Sequence, residues 1–301
     1  MESQSNENTK PKNWYDKSYK IILILPALLL LFSLIYLVNF QRTHDDLILK
    51  DVSLTGGTTI TVFDTKADVN TVHSSLIKDF PDIRMRGISD FRTGEQRGFL
   101  IESQAHVEIL KPAIEKVMGY TLTQENSSTE FASSELSQGF YQQMRVAIIF
   151  AFIFMAIVVF IIFRTLVPSF AIILCAFADI VMTLVVVDFM GMRVSNAGII
   201  AFLMLIGYSV DTDILLTTRV LKGRSNSINE RIFGAFKTGI MMTLTAVGAV
   251  AVSLIIIYTS SEVLRQIFTI VLIGLFFDIF NTWITNASLI KWYSEKKERH
   301  Q

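Results

Sequence analysis

The sequence is poor in the residues that form covalent cross-links and common metal sites. Of its 301 residues, one is cysteine and four are histidine. Cys175, the single cysteine, excludes an intramolecular disulfide and a cysteine-based metal site, and leaves the redox compartment open. The histidines show no spacing typical of metal ligands, and they are His44, His73, His106 and His300.

Neither positive nor negative charge predominates in the sequence. Lysine and arginine total 27, as do aspartate and glutamate, so the formal net charge is zero and nothing indicates nucleic-acid binding. The pair Gly56 and Gly57 enters a predicted strand and lacks the lysine of a phosphate-binding loop, which predicts a turn. We therefore expect neither an enzyme nor a bound cofactor.

Apolar residues are abundant, at 51% of the chain. They gather in blocks of about 20 residues, the length that crosses about 30 Å of hydrocarbon. The first block is too long for a signal peptide and lacks a small-residue cleavage site, so we expect a retained anchor. Six transmembrane helices are predicted, at about 20–39, 145–163, 167–189, 196–218, 238–258 and 265–290.

Lysine and arginine flank these spans unevenly. One set of flanks holds Lys10, Lys12, Lys17, Lys20, Arg164, Arg219, Lys222, Arg224, Arg231, Lys237, Lys291, Lys296, Lys297 and Arg299. The opposite short loops hold Arg193 and Arg265. The positive-inside rule then predicts cytoplasmic tails at 1–19 and 291–301, a cell-membrane location and an extracytoplasmic segment between the first two spans.

That segment has the pattern of one small α+β domain. Strands are predicted at 58–63, 83–91, 98–103 and 120–124, with helices at 68–80 and 107–118 and a turn at 92–95. The order β-α-β-β-α-β predicts a ferredoxin-like domain over 40–125. Serine and glutamine over 126–144 predict a linker to the remaining five helices, which occupy 145–290.

Four acids fall inside predicted spans, where a charge is costly and each is a functional candidate. Asp211 interrupts the fourth span at mid-depth, after Gly207 and Ser209, which favour close helix packing. Desolvation and a nearby cation would push its pKa in opposite directions, as suits a proton carrier. The alternative is a structural aspartate that is hydrogen-bonded between helices.

The other three acids are predicted to support a polar path. Asp213, two residues from Asp211, points to another side of the helix, towards a partner or a polar cavity. Asp179 and Asp278 could act directly or only join helices. Arg219 and Lys237 could be relay cations or positive-inside anchors.

Short motifs in the same order resemble the SecF family, within the RND transporter superfamily. The segment from Leu54 to Thr58 is similar to the family's F-T-G-G-T, and Asp179 to Leu184 to its D-V-x-x-T-L. Gly207-Tyr208-Ser209 with Arg219, Lys237-Thr238, and Leu272-Ile273-Gly274 are similar to three later signatures. The resemblance covers nearly the whole chain.

The departures from the bacterial pattern are specific. Bacterial SecF proteins usually have Asn-Asp where this chain has Asp211 and Thr212, and Asp211 falls where SecD carries its aspartate. Lys237 replaces an arginine, and Asp278 replaces a small residue. These features fit a distant lineage, such as an archaeal one.

The resemblance implies a subunit that pairs with SecD in the membrane lipid and assists the Sec translocon channel in exporting a translocating polypeptide. Asp211 would carry the coupled proton or sodium ion and Lys237 would tune it. Two alternatives remain: half of an RND-type exporter of small molecules or lipids, and a scaffold that transports nothing.

Overall fold

The computed structural model describes residues 14–64, 67–90, 93–223, 227–258 and 261–299. Several residues used in the sequence interpretation lie outside these ranges, namely Lys10, Lys12, Arg92, Arg224 and His300. Within the described ranges, six helical segments are long and apolar enough to cross a membrane: Ser18–His44, Ser134–Phe163, Leu166–Phe189, Asn196–Lys222, Ile228–Ile257 and Glu262–Glu298. Six spans were predicted, and the chain is a multi-pass membrane protein.

Two spans are composite. The first joins α1 (Trp14–Ile22) to α2 (Ile24–His44). The last runs from α10 (Glu262–Phe280) through a π-helical segment (Asn281–Asn286) into α11 (Ala287–Glu298). Between them lie α6 (Ser134–Phe163), α7 (Leu166–Phe189), α8 (Asn196–Lys222) and α9 (Ile228–Ile257).

The helices α7 and α8 form the buried centre of the bundle, whereas α2, α6 and α9 expose most of their surface. Gly274 allows α10 to approach α8, because a Cβ there would lie 2.3 Å from Leu205 Cδ2. Gly239 of α9 is similarly close to the Trp283 ring. Small residues thus bring the helices around α8 into close contact.

Residues between the first two spans form an antiparallel sheet with helices. The elements are α3 (Val52–Thr55), β1 (Gly57–Val62), α4 (Val69–Leu76), β2 (Arg84–Ser89), β3 (Gln96–Ser103), α5 (Val107–Met118) and β4 (Ser127–Ala132). The strand order is β2-β3-β1-β4, and every neighbouring pair is antiparallel. Alternate residues of β1 and β3, such as Ile60 and Phe99, pack with Leu76 and Leu110 of the helices.

The last strand was predicted in the wrong place. It lies at Ser127–Ala132, paired with β1, and not at 120–124. The predicted linker over 126–144 therefore contains this strand and the start of α6 at Ser134. Leu122 still packs into the sheet core, as an apolar residue ahead of the strand.

Short contacts tie the sheet domain to the helices. Lys50 pairs with Val194 in an isolated parallel bridge, and Asn196 N donates to Ser53 Oγ at 3.1 Å. Arg86 of β2 forms an ion pair with Glu262 at the start of α10. A crevice of about 620 Å³ lies between the sheet face and these helix ends.

Candidate functional site

Three aspartates meet inside the helical bundle. Asp179 of α7, Asp213 of α8 and Asp278 of α10 are 0%, 0% and 1% exposed. We call these three residues the acidic cluster. Each comes from a different span, so the cluster joins the three central helices.

Asp179 has two hydrogen bonds from neighbouring helices. Ser209 Oγ of α8 donates to Asp179 Oδ2 at 2.5 Å, and Asn281 Nδ2 donates to Asp179 Oδ1 at 2.7 Å. Ser209 was predicted as a helix-packing residue, and its hydroxyl also contributes to this polar contact.

Asp213 and Asp278 share a neighbour. Thr282 Oγ1 lies 2.9 Å from Asp213 Oδ1 and 3.2 Å from Asp278 Oδ1. Asn286 Nδ2 also donates to Asp213 Oδ1, at 2.8 Å. Asp213 therefore faces a polar interior within this chain, one of the two surroundings predicted for it.

The π-helical segment supplies most of the partners. Asn281, Thr282 and Asn286 all belong to it and all are buried. The wider turn places side chains five residues apart on one face, and such segments are frequent at functional sites. The sequence interpretation missed Thr282 and Asn286 as site residues, although the polar run Asn281–Asn286 inside an apolar span was a usable signal.

Asp211 lies elsewhere. Its side chain is exposed on the outer face of α8, as are Gly207, Tyr208 and Arg219 on the same helix. Lys237 of α9 is also exposed, and none of the ion pairs among the described residues joins it to Asp211. The predicted relay residues therefore separate into a buried set and an exposed set.

Arg219 has a local partner, because its Nη1 donates to the Gly234 carbonyl of α9 at 2.6 Å. Among the described residues, no atom lies within 4 Å of a Cβ added at Gly207, so this position faces open space. Gly274, by contrast, is a close-packing position, as described above.

The glycine pair of the external motif is a tight chain reversal. Gly56 ends α3 with φ 85°, and a Cβ there would lie 2.5 Å from the Ser134 Cα. Gly57 opens β1 with φ 144°, and its Cβ would lie 2.4 Å from the Ser103 carbonyl oxygen. Both positions require glycine, and they join the sheet to the start of α6.

Comparison with known proteins identifies the family. Residues 113–296 match the family model described as protein export membrane protein SecD/SecF, C-terminal. The protein-export membrane protein SecF of Methanocaldococcus jannaschii is 38% identical over 286 residues, which cover 92% of this chain and 96% of the relative. SecF of Methanothermobacter thermautotrophicus is 36% identical, with 93% and 94% covered.

A solved structure has the same fold. SecDF from Thermus thermophilus, described as a translocon-associated membrane protein, superposes with a TM-score of 0.71 at 16% identity. The match covers 94% of this chain but 39% of that longer one. The family model and the archaeal relatives, which match over nine-tenths of the chain, show that the chain belongs to the SecF family, among its archaeal members.

Proposed function

We propose that this protein pairs with SecD and assists export of polypeptides through the Sec translocon, using the proton or sodium gradient. One observation carries the proposal. Asp211, a carboxylate well inside a predicted span, faces out of the bundle.

An outward carboxylate at this depth implies a covering partner. Its neighbours on the same face are exposed too: Ile200, Met204, Gly207 and Tyr208. Facing lipid, the charge of Asp211 would cost several kcal/mol, about 3 or more at a helix centre. A second helical bundle packed on this face removes that cost, and Gly207 allows a close approach. SecD is the partner that family membership suggests.

Ion coupling follows from the same placement. Asp211 and Lys237 are both exposed on this chain, and the proposal has both of them at the interface between the two bundles. Asp211 is the carboxylate that gains and loses the ion, and Lys237 is the cation whose approach favours release. Neutralising a charge at such an interface shifts the packing of two rigid bodies.

The external domain transmits that shift. Its strand order and its β-α-β-β-α-β sequence support a ferredoxin-like arrangement. The positive flanks of the spans support cytoplasmic termini and an extracytoplasmic sheet. The Arg86–Glu262 ion pair and the Lys50–Val194 bridge couple the sheet to the helices, so the domain moves with them.

The test is export of a secretory protein in cells whose only copy carries Asp211→Asn. We expect export to fall while this protein and SecD remain at normal abundance. A matched control, Asp68→Asn, changes an exposed aspartate at the start of α4 outside the spans and should leave export unchanged. Normal export in the Asp211→Asn cells would refute ion coupling at this residue and favour a scaffold.

Physical pairing is tested separately. Gly207→Leu adds a side chain to the α8 face at a position where a Cβ meets no atom within 4 Å among the described residues, so the protein should fold but copurify less with SecD. Unchanged copurification would place the partner on another face.

A further inference from the structure

Within the part of the chain that the structure describes, the acidic cluster has no positively charged partner. Its hydrogen-bond donors are Ser209, Asn281, Thr282 and Asn286, all neutral. Among the described residues, no lysine, arginine or histidine forms an ion pair with Asp179, Asp213 or Asp278. Three uncompensated carboxylates in a buried apolar surrounding are far too costly to persist. The cluster must therefore hold positive charge from outside the chain.

The cluster also has oxygens without a donor. Asp213 Oδ2, Asp278 Oδ2 and Asn286 Oδ1 are buried and accept no hydrogen bond within the described structure. All three are acceptors, so a bound cation would satisfy them and a further acceptor would not. Asn286 contacts Asp213 directly, and Asp278 is linked to Asp213 through Thr282.

The contacts of the Thr282 hydroxyl show how many protons Asp213 and Asp278 hold between them. Its hydroxyl lies within hydrogen-bond distance of both Asp213 Oδ1 and Asp278 Oδ1, but it carries one hydrogen. It can donate to one carboxyl and must accept from the other. With both contacts made as hydrogen bonds, one of the two aspartates carries a proton.

We infer that the acidic cluster binds one small monovalent cation, a proton or Na⁺, within this chain and apart from Asp211. Carboxylate and neutral oxygens are the ligands that hard metal cations prefer, and a buried carboxylate without a cation becomes protonated. The titratable groups that face the site are Asp179, Asp213 and Asp278, together with Cys175 of α7. The inference deepens the proposed ion coupling and rests on it for its use in the cell, but binding itself needs neither SecD nor export.

The two ions are distinguished with the purified full-length protein in detergent. For Na⁺, thermal unfolding is measured in NaCl and in KCl at equal ionic strength and pH. A site for Na⁺ raises the melting temperature by about 2–4 °C or more in NaCl. For a proton, the infrared band of protonated carboxyl groups is measured at pH 8 and compared between the natural sequence and each variant.

The variants are Asp213→Asn and Asp278→Asn, which keep the side-chain shape and are made separately so that one misfolded variant does not end the test. Each should abolish the Na⁺ shift or remove part of the carboxyl band. Asp211→Asn, on the same helix but exposed, is the matched control and should retain the signal.

The inference is overturned if NaCl and KCl give equal melting temperatures and neither variant changes the carboxyl band. Failure of the proposed function has a different signature. If Asp211→Asn cells export normally while the cluster still binds its ion, the second site stands and the interfacial coupling falls.

Discussion

Asp211 and Asp213 are two residues apart on α8 and face opposite surroundings. Asp213 is fully buried and accepts hydrogen bonds from Thr282 and Asn286, whereas Asp211 is exposed on the outer face. Two residues correspond to about 200° around a helix, which accounts for the separation. One helix thus presents one carboxylate to its own bundle and another to a neighbour.

Thr282→Val should destabilise the protein. The hydroxyl is the group shared by Asp213 and Asp278, and valine keeps its volume without the polar atom. Leaving buried carboxyl oxygens without this partner costs about 1–3 kcal/mol. The free energy of unfolding, measured by denaturant titration of the detergent-solubilised protein, should fall by that amount.

Thr285→Val is the matched control for that experiment. Thr285 lies in the same π-helical segment and contacts Asn281 Oδ1 at 3.4 Å. Among the described residues, its hydroxyl forms no hydrogen bond with the acidic cluster. It should cost clearly less than Thr282→Val. Equal losses would mean that the Thr282 hydroxyl contributes only to packing.

The four intramembrane acids were visible in the sequence, but their directions were not. Hydropathy and the cost of a buried charge single out Asp179, Asp211, Asp213 and Asp278. Deciding that Asp213 faces inwards needs the orientation of α8 against the π-helical segment. That orientation is set by contacts between residues about 70 apart in sequence, such as Thr282 with Asp213.

The strand β4 was predicted in the wrong place for a different reason. The segment Ser127–Ala132 is mostly polar and exposed, so it lacks the alternation that marks a half-buried strand. As an edge strand it is held by its backbone pairing with β1, which any polar sequence can make. Residues 107–118, with helical spacing and a buried apolar face, were predicted with the correct ends.

Glu102→Gln should remove a pH dependence of stability. Burial, together with the nearby charges of Asp51 and Glu262, raises the pKa of Glu102 from 4.5 to about 7. Between these values the folded chain holds a proton that the unfolded chain has lost, so stability falls as the pH rises from 4.5 to 7. The loss is about 3 kcal/mol and is complete above pH 7.

Melting temperatures measured from pH 4.5 to 8 test this directly, because the glutamine variant should lose less stability across the window than the natural sequence. Glu130→Gln, on the exposed edge strand, should follow the natural curve. A Glu102→Gln curve parallel to the natural one would contradict the assignment of this titration to Glu102.

Gly274→Ala should separate α8 from α10. The added methyl would meet Leu205 Cδ2 at 2.3 Å and Leu205 Cγ at 2.9 Å, so the leucine or the helix must shift. Overpacking of this kind costs about 1–3 kcal/mol in unfolding free energy. Gly248→Ala of α9, with nothing within 4 Å, should instead be neutral or stabilising by up to about 1 kcal/mol. Equal stability of the two variants would exclude close α8–α10 packing at this position.

Lys291→Met should release the first helix from the bundle. Lys291 is 1% exposed, and its Nζ forms an ion pair with Asp16 of α1 and a 2.6 Å hydrogen bond with Asn229 Oδ1 of α9. Removing one member of a buried ion pair is strongly destabilising, here by up to about 3 kcal/mol, because Asp16 and Asn229 lose their shared donor.

Faster tryptic cleavage at the exposed Lys20, measured on the intact protein in detergent, is the expected result. Lys296→Met removes an exposed lysine from the same helix, so its cleavage rate should match the natural protein. Equal rates for both variants would show that α1 is held without Lys291, by its other contacts, such as the hydrogen bond from Tyr19 to Glu295.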